Sequence, residues 1–183
     1  MKRAIIIHGW TGKPKDNWFP WLKDELIKLS YAAETPEMPN SDTPKLNEWM
    51  DTLLSMQPDK ETLLIGHSLS NSLILRYLER SNSNAKGAVL VAAWNWMIED
   101  LREYHQTFFE KKYDYDSIKS KNIPIVIVNS TNDPYIDFEK SKNLPGKIGA
   151  KFVSIDNAGH FNTKSGFSQF PQLLDIIKDL KFQ

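Results

Sequence analysis

The sequence predicts an α/β fold, a single-domain three-layer α/β/α sandwich on a parallel sheet. Three observations predict it. Short apolar runs rich in β-branched residues alternate with helical patterns throughout the 183 residues. Several of these runs lack polar alternation, as parallel strands covered on both faces do. Helix follows strand repeatedly, the order of a doubly wound sheet. No internal repeat, low-complexity tract or domain linker interrupts the pattern, so residues 1–183 read as one domain.

The first strand is "RAIIIH" (3–8), followed by Trp18, Trp21, Leu22, Leu26 and Leu29 at helical spacing. The run "AAETPEM" (32–38) is assigned to a strand because a crossover should end there. A second helix follows from Leu46, Trp49, Met50, Leu53 and Leu54. Next comes "LLIG" (63–66), with Leu69, Leu73 and Tyr77 repeating at helical spacing behind it. The later strands are "GAVLVAA" (87–93), "IPIVIVN" (123–129) and "KFVSID" (151–156). The last helix carries Phe170, Leu173, Leu174, Ile177 and Leu180, with Pro171 suited to its first turn. The long aromatic-rich connection 94–122 reads either as a flap or pocket-lining crossover, or as one ordinary helix packed on the sheet.

Charge excludes some functions. The 23 basic and 23 acidic residues cancel, so no nucleic-acid surface is expected. The absence of cysteine excludes disulfides, thiolate metal sites and a cysteine nucleophile. The opening "MKRAIIIHGW" has too short an apolar run for a secretory signal, and no run approaches a membrane span. A cytoplasmic protein without a membrane partner is the expectation.

Chemistry centres on "GHSLS" (66–70), where Ser68 falls between a strand and a helix. This is the arrangement of a nucleophile elbow, G-x-S-x-G, with Ser70 at the last glycine position. A serine needs a base to take its proton, and the base needs an orienting group. In this fold the order is Ser, then Asp or Glu, then His, each beyond a strand. Asp133 in "STNDPYID" and His160 in "NAGHFN" occupy those places. Asp156 and Asp137 are the alternatives for the acid, although Asp137 is better placed to cap a helix. Among the other histidines, His67 is expected to point away from the serine, and His105 falls in the crossover. His8 is expected to order the loop after the first strand.

Backbone N–H groups commonly stabilise a developing oxyanion. The expected donors are Leu69, after the nucleophile, and Trp10 in "HGWTG", with Thr11 as fallback. Trp94, Trp96, Phe108, Phe109 and Phe161, together with Trp10, could line an apolar acyl pocket; plain core packing is the competing assignment. Ser70 is expected to pack or hydrogen-bond within the first helical turn, outside the chemistry.

The stretches "IIIHGWTG", "NWFPWLKDEL", "MPNSDTPKLNEWMDTL", "GHSLS", "VNSTNDPYIDF" and "NAGHF" resemble the α/β-hydrolase superfamily. Within it they resemble the small serine hydrolases of the retinoblastoma-binding protein 9 and YdeN type. The resemblance implies six parallel strands in the order 2-1-3-4-5-6 and no cap domain. It further implies Ser68 as nucleophile, Asp133 as orienting acid and His160 as base. Hydrolysis of small esters or activated amides without metal or cofactor follows from the same resemblance. One branch of the group binds a regulatory protein, so a protein partner, and even a catalytically silent interaction module, is the rival reading. A nucleotide-binding module is disfavoured, because "HGWTGKPKDN" lacks the P-loop spacing.

Overall fold

The computed structural model describes residues 1–180. Six strands form one parallel sheet: β1 (Arg3–Ile7), β2 (Ala32–Glu34), β3 (Thr62–His67), β4 (Gly87–Val91), β5 (Ile125–Ser130) and β6 (Lys151–Ile155). Their order is β2-β1-β3-β4-β5-β6, as the resemblance implies. Among the described residues eight α-helices connect and cover them: α1 (Phe19–Lys28), α2 (Leu46–Ser55), α3 (Ser70–Leu78), α4 (Arg102–Phe109), α5 (Tyr115–Ser120), α6 (Phe138–Ser141), α7 (Leu144–Ile148) and α8 (Pro171–Asp179). Among the described residues no helix is long and apolar enough to cross a membrane.

Strand periodicity divides the core into two layers. Ile5, Ile7, Leu64, Leu90 and Ile127 face Trp49, Leu53, Leu73, Phe108 and Ile148 from α2, α3, α4 and α7. Ala4, Ile6, Leu63, Ile65, Val89 and Val126 face Trp18 and, from α1 and α8, Phe19, Leu22, Leu26, Leu173 and Ile177. Covered on both sides, the central strands have no polar face to show, hence their unbroken apolar runs.

Two assignments are corrected. β2 stops at Glu34 instead of reaching residue 38, because Pro36 carries no N–H for a ladder and only β1 is available for pairing. The 94–122 connection is not one ordinary helix: it contains a 3₁₀ turn (Glu99–Leu101), α4 and α5. Its far end is tied to α3 by Arg76. That buried guanidinium donates to the carbonyls of Phe108 (3.0 Å), Lys111 and Lys112 (3.3 Å), and lies 3.9 Å from the Tyr113 ring centroid. Cationic donors suit the unpaired carbonyls at a helix C-terminus. In the last turn of α4, the Thr107 hydroxyl accepts the Leu46 N–H at the start of α2 (3.0 Å).

The register brings strand ends to a common edge. Ile7 pairs with Gly66, His67 with Val91, and Val91 with Val128. Carboxyl ends of parallel strands are where such folds bind ligands, and the loops after β1, β3, β5 and β6 emerge there.

Candidate active site

β3 ends at His67, α3 begins at Ser70, and the turn between them holds Ser68 at φ +59°. A left-handed conformation costs a residue with a side chain about 1–2 kcal/mol. The Ser68 N–H donates to Val91 O on β4 (2.9 Å), which helps hold the turn. Small neighbours are a packing requirement. A Cβ on Gly66 would lie 2.5 Å from Asn71 Oδ1 and 2.8 Å from Ile74 Cδ1. One on Gly9 would lie 2.9 Å from Ser68 Cβ, so the loop after β1 runs directly against the serine.

Ser70 differs from its expected role. Its hydroxyl does not stay within the first helical turn but reaches back to the strand ends. Ser70 Oγ accepts the His67 N–H (2.8 Å) and can donate to Ile7 O (2.7 Å) or His67 O (2.9 Å). It therefore fastens β1 to β3 beside the elbow. Losing it would strand buried backbone groups, each worth about 1–3 kcal/mol. Ser70→Gly is expected to lower unfolding stability by about 1–3 kcal/mol in denaturant titration while keeping the reaction rate at temperatures where it stays folded.

Three side chains from separate loops meet. Ser68 Oγ lies 2.9 Å from His160 Nε2, and His160 Nδ1 lies 2.7 Å from Asp133 Oδ2. The other Asp133 oxygen accepts the N–H groups of Tyr135 (2.9 Å) and Ile136 (3.1 Å). An ionised carboxylate only accepts, so the imidazole hydrogen sits on Nδ1 and Nε2 faces the serine hydroxyl as an acceptor. The Asp133 side chain is 2% exposed and that of His160 10%, so bulk water competes little for this bond. Two side chains that the sequence reading did not single out join the loops. Ser130 Oγ accepts the Ala158 N–H (3.0 Å), and Asn132 Oδ1 accepts the Gly159 N–H (2.8 Å). Of the rival acids, Asp137 caps α6 by accepting the Lys140 N–H (3.0 Å), and Asp156 is exposed.

His8 orders the first loop. Its Nδ1–H donates to Gly9 O (2.9 Å) and its Nε2 accepts the Met38 N–H (3.0 Å). Burial lowers its pKa, which suits this neutral tautomer. The His67 ring is directed at the His160 backbone, where its Nε2 meets His160 O at 2.8 Å. A carbonyl can only accept, so Nε2 carries the hydrogen. Burial, then the neighbouring His160, pushes the His67 pKa down to about 3.

Among the described residues, neither the Trp10 N–H nor the Leu69 N–H donates a hydrogen bond. Thr11 is removed as a fallback, because its N–H donates to Ser41 O (2.8 Å). The Trp10 ring is fixed by its Nε1–H on Asp42 O (2.9 Å) and by stacking on Tyr104, 4.8 Å between centroids.

A cleft of about 630 Å³ opens over Ser68. Trp94, Ile98, Leu101 and Ile136 make one part of its lining apolar; Lys15, Asn17, Asn162, Thr163 and Lys164 make another part polar. The Asn17 side chain accepts the Thr163 N–H (2.9 Å), joining the two loops of the polar part. Of the six aromatics expected in the pocket, Trp10 and Trp94 line it and the other four do not. Phe108 is buried against Trp49 (5.5 Å between centroids). Phe109 stacks on Trp94 (5.8 Å) without lining the cleft, and Trp96 lies under Lys140 Nζ (4.4 Å). Phe161, at φ +51°, is turned into the α1/α8 layer and stacks on Phe170 (5.2 Å). Ile98 and Leu101, three residues apart, and Ile136 in the Asp133 loop were missed as lining. Their only sequence signal is apolar character beside a chemistry-bearing loop. Among the described residues no group of three or more His, Asp or Glu side chains is placed to hold a metal ion.

A six-stranded parallel sheet in this order, with a serine on a strained strand-to-helix turn at its carboxyl edge, defines the α/β-hydrolase class. Within that class the chain belongs to the serine hydrolase family, whose model matches residues 4–179. It is 31% identical over 180 residues to YdeN of Bacillus subtilis, covering 96% of this chain and 94% of that protein. It is 23% identical over 182 residues to the serine hydrolase RBBP9 of Rattus norvegicus, covering 97% and 95%. The crystal structure of the Bacillus subtilis ydeN gene product superposes with a TM-score of 0.91 at 29% identity, with 98% of each chain covered. Hydrolysis is the activity that goes with this membership.

Proposed function

We propose that the protein hydrolyses small esters or activated amides by acyl transfer, with Ser68 as nucleophile, His160 as general base and acid, and Asp133 as orienting acid. The observation that carries this reading is the unbroken chain Ser68 Oγ–His160 Nε2–His160 Nδ1–Asp133 Oδ2, at 2.9 Å and 2.7 Å. His160 takes the hydroxyl proton as Ser68 attacks the substrate carbonyl, and the imidazolium is stabilised by the Asp133 carboxylate. The N–H groups of Trp10 and Leu69, engaged by no described residue, receive the oxyanion. Collapse of the tetrahedral intermediate breaks the bond to the alcohol or amine, which leaves with the proton from His160. A water molecule activated by the same imidazole then cleaves the acyl-enzyme and regenerates Ser68.

The apolar lining, Trp94, Ile98, Leu101 and Ile136, supports an acyl group with apolar character. An interaction-only role drew its support from Ser70 at the last glycine position and from the branch of the group that binds a regulatory protein. The Ser70 hydroxyl is spent on Ile7 and His67, and Ser68 Oγ remains hydrogen-bonded to His160, which favours chemistry over a silent module.

A panel of p-nitrophenyl esters of rising acyl length tests the assignment. The expected result is hydrolysis with kcat/KM rising from acetate to a medium-length chain and falling once the acyl group outgrows the cleft. Hydrolysis of none, or a flat dependence on length, would count against the apolar acyl site.

A further inference from the structure

Nothing in the acyl-transfer mechanism accounts for how the backbone carrying His160 is held. Phe161, the next residue, has φ +51°, a conformation costing a side-chain-bearing residue about 1–2 kcal/mol. That turn directs two successive carbonyls, those of His160 and Phe161, into the protein, where each needs a donor. Two aromatic ring N–H groups supply them. His67 Nε2–H donates to His160 O (2.8 Å), and Trp18 Nε1–H donates to Phe161 O (2.9 Å). The donor rings pack edge to face, 6.0 Å between centroids at 90°, and both are buried. Phe19 closes on the His67 ring at 5.7 Å, and the His160 ring lies 5.0 Å away on another side.

The geometry points to His67 and Trp18 as a pair of positioning residues, whose ring N–H groups clamp the His160–Phe161 backbone and so set the distance from imidazole to Ser68. The inference rests on the proposed role of His160 as base. It assigns a task to the residue next to the nucleophile and to the tryptophan that precedes α1. His67 follows Gly66 and precedes Ser68, so one short stretch fixes both the attacking oxygen and, through the clamp, its base. A histidine suits the place only while neutral. Its surroundings keep it so, and no second cation then opposes the imidazolium that forms at His160. The clamp acts through position alone, because neither ring approaches the reacting atoms by any hydrogen bond.

The test compares His67→Phe, which keeps an aromatic ring but removes the donor, with His67→Gln, whose amide nitrogen reaches a similar distance. Misplacement of a catalytic group by an ångström costs about 10²-fold. His67→Phe is therefore expected to lower kcat on a p-nitrophenyl ester by about 10–100-fold with KM within about twofold. His67→Gln is expected to recover most of that loss. A readout free of substrate accompanies it, the downfield proton resonance of His160 Nδ1–H on Asp133. It is expected in wild type and His67→Gln, and broadened in His67→Phe. Should His67→Phe fail to fold, Trp18→Phe removes the companion donor and is read by the same signal. Undiminished kcat with an unchanged resonance in the Phe variants would overturn the clamp, and so would equal losses in His67→Phe and His67→Gln. A wild-type resonance that His67→Phe broadens, in a protein that hydrolyses no ester, would instead sink the hydrolase reading and leave the clamp standing.

Discussion

Ser68→Ala is expected to lower kcat for p-nitrophenyl ester hydrolysis by about 10⁴–10⁶-fold, leaving only what binding and the oxyanion donors contribute. The reason is local. Ser68 Oγ is the oxygen that faces His160 Nε2, at 2.9 Å, and alanine offers no atom to attack with. The loss should not come from unfolding. The elbow is held by the Ser68 N–H on Val91 O and by Ser70 on Ile7 and His67, all of which alanine leaves in place. Thermal unfolding of the variant should therefore stay within a few degrees of wild type. A collapse of the folded state, with activity lost in proportion, would return Ser68 to a structural role.

Asp133→Asn should cost about 10⁴-fold in kcat, through the tautomer and not through charge alone. One Asp133 oxygen accepts two backbone N–H groups, from Tyr135 and Ile136, and the other accepts from His160 Nδ1. An asparagine would keep its carbonyl oxygen on the two N–H groups and turn its NH₂ toward the imidazole. Nδ1 must then accept, the ring hydrogen moves to Nε2, and Nε2 can no longer take the Ser68 proton. Steady-state kinetics of the variant check this. A loss of less than about tenfold would mean that Asp133 does not set the tautomer.

Much of this was legible in the residues, for physical reasons that also explain the failures. β1, β4 and β5 announce themselves because strands buried on both faces tolerate no polar alternation. Ser68 and Asp133 stand out because each follows such a strand, His160 because it follows the edge strand β6, and strand ends at one sheet edge bring all three to one place. β2 was drawn too long, since an edge strand of three residues carries little pattern of its own. The aromatic pocket failed for a different reason. Which way an aromatic points depends on local backbone, and the positive φ of Phe161 turns its ring into the core, a direction that spacing cannot reveal. The bonds of Ser70 to Ile7 and of His67 to His160 join residues distant in the chain, so local patterns carry no trace of them.

The central claim, that Ser68 is an activated nucleophile, is tested most directly by a fluorophosphonate probe with mass-spectrometric mapping of the adduct. The expected result is one covalent adduct on the peptide containing Ser68 in the wild-type protein, and none in Ser68→Ala. Equal labelling of the two proteins, or a wild-type adduct on any other residue, would contradict it.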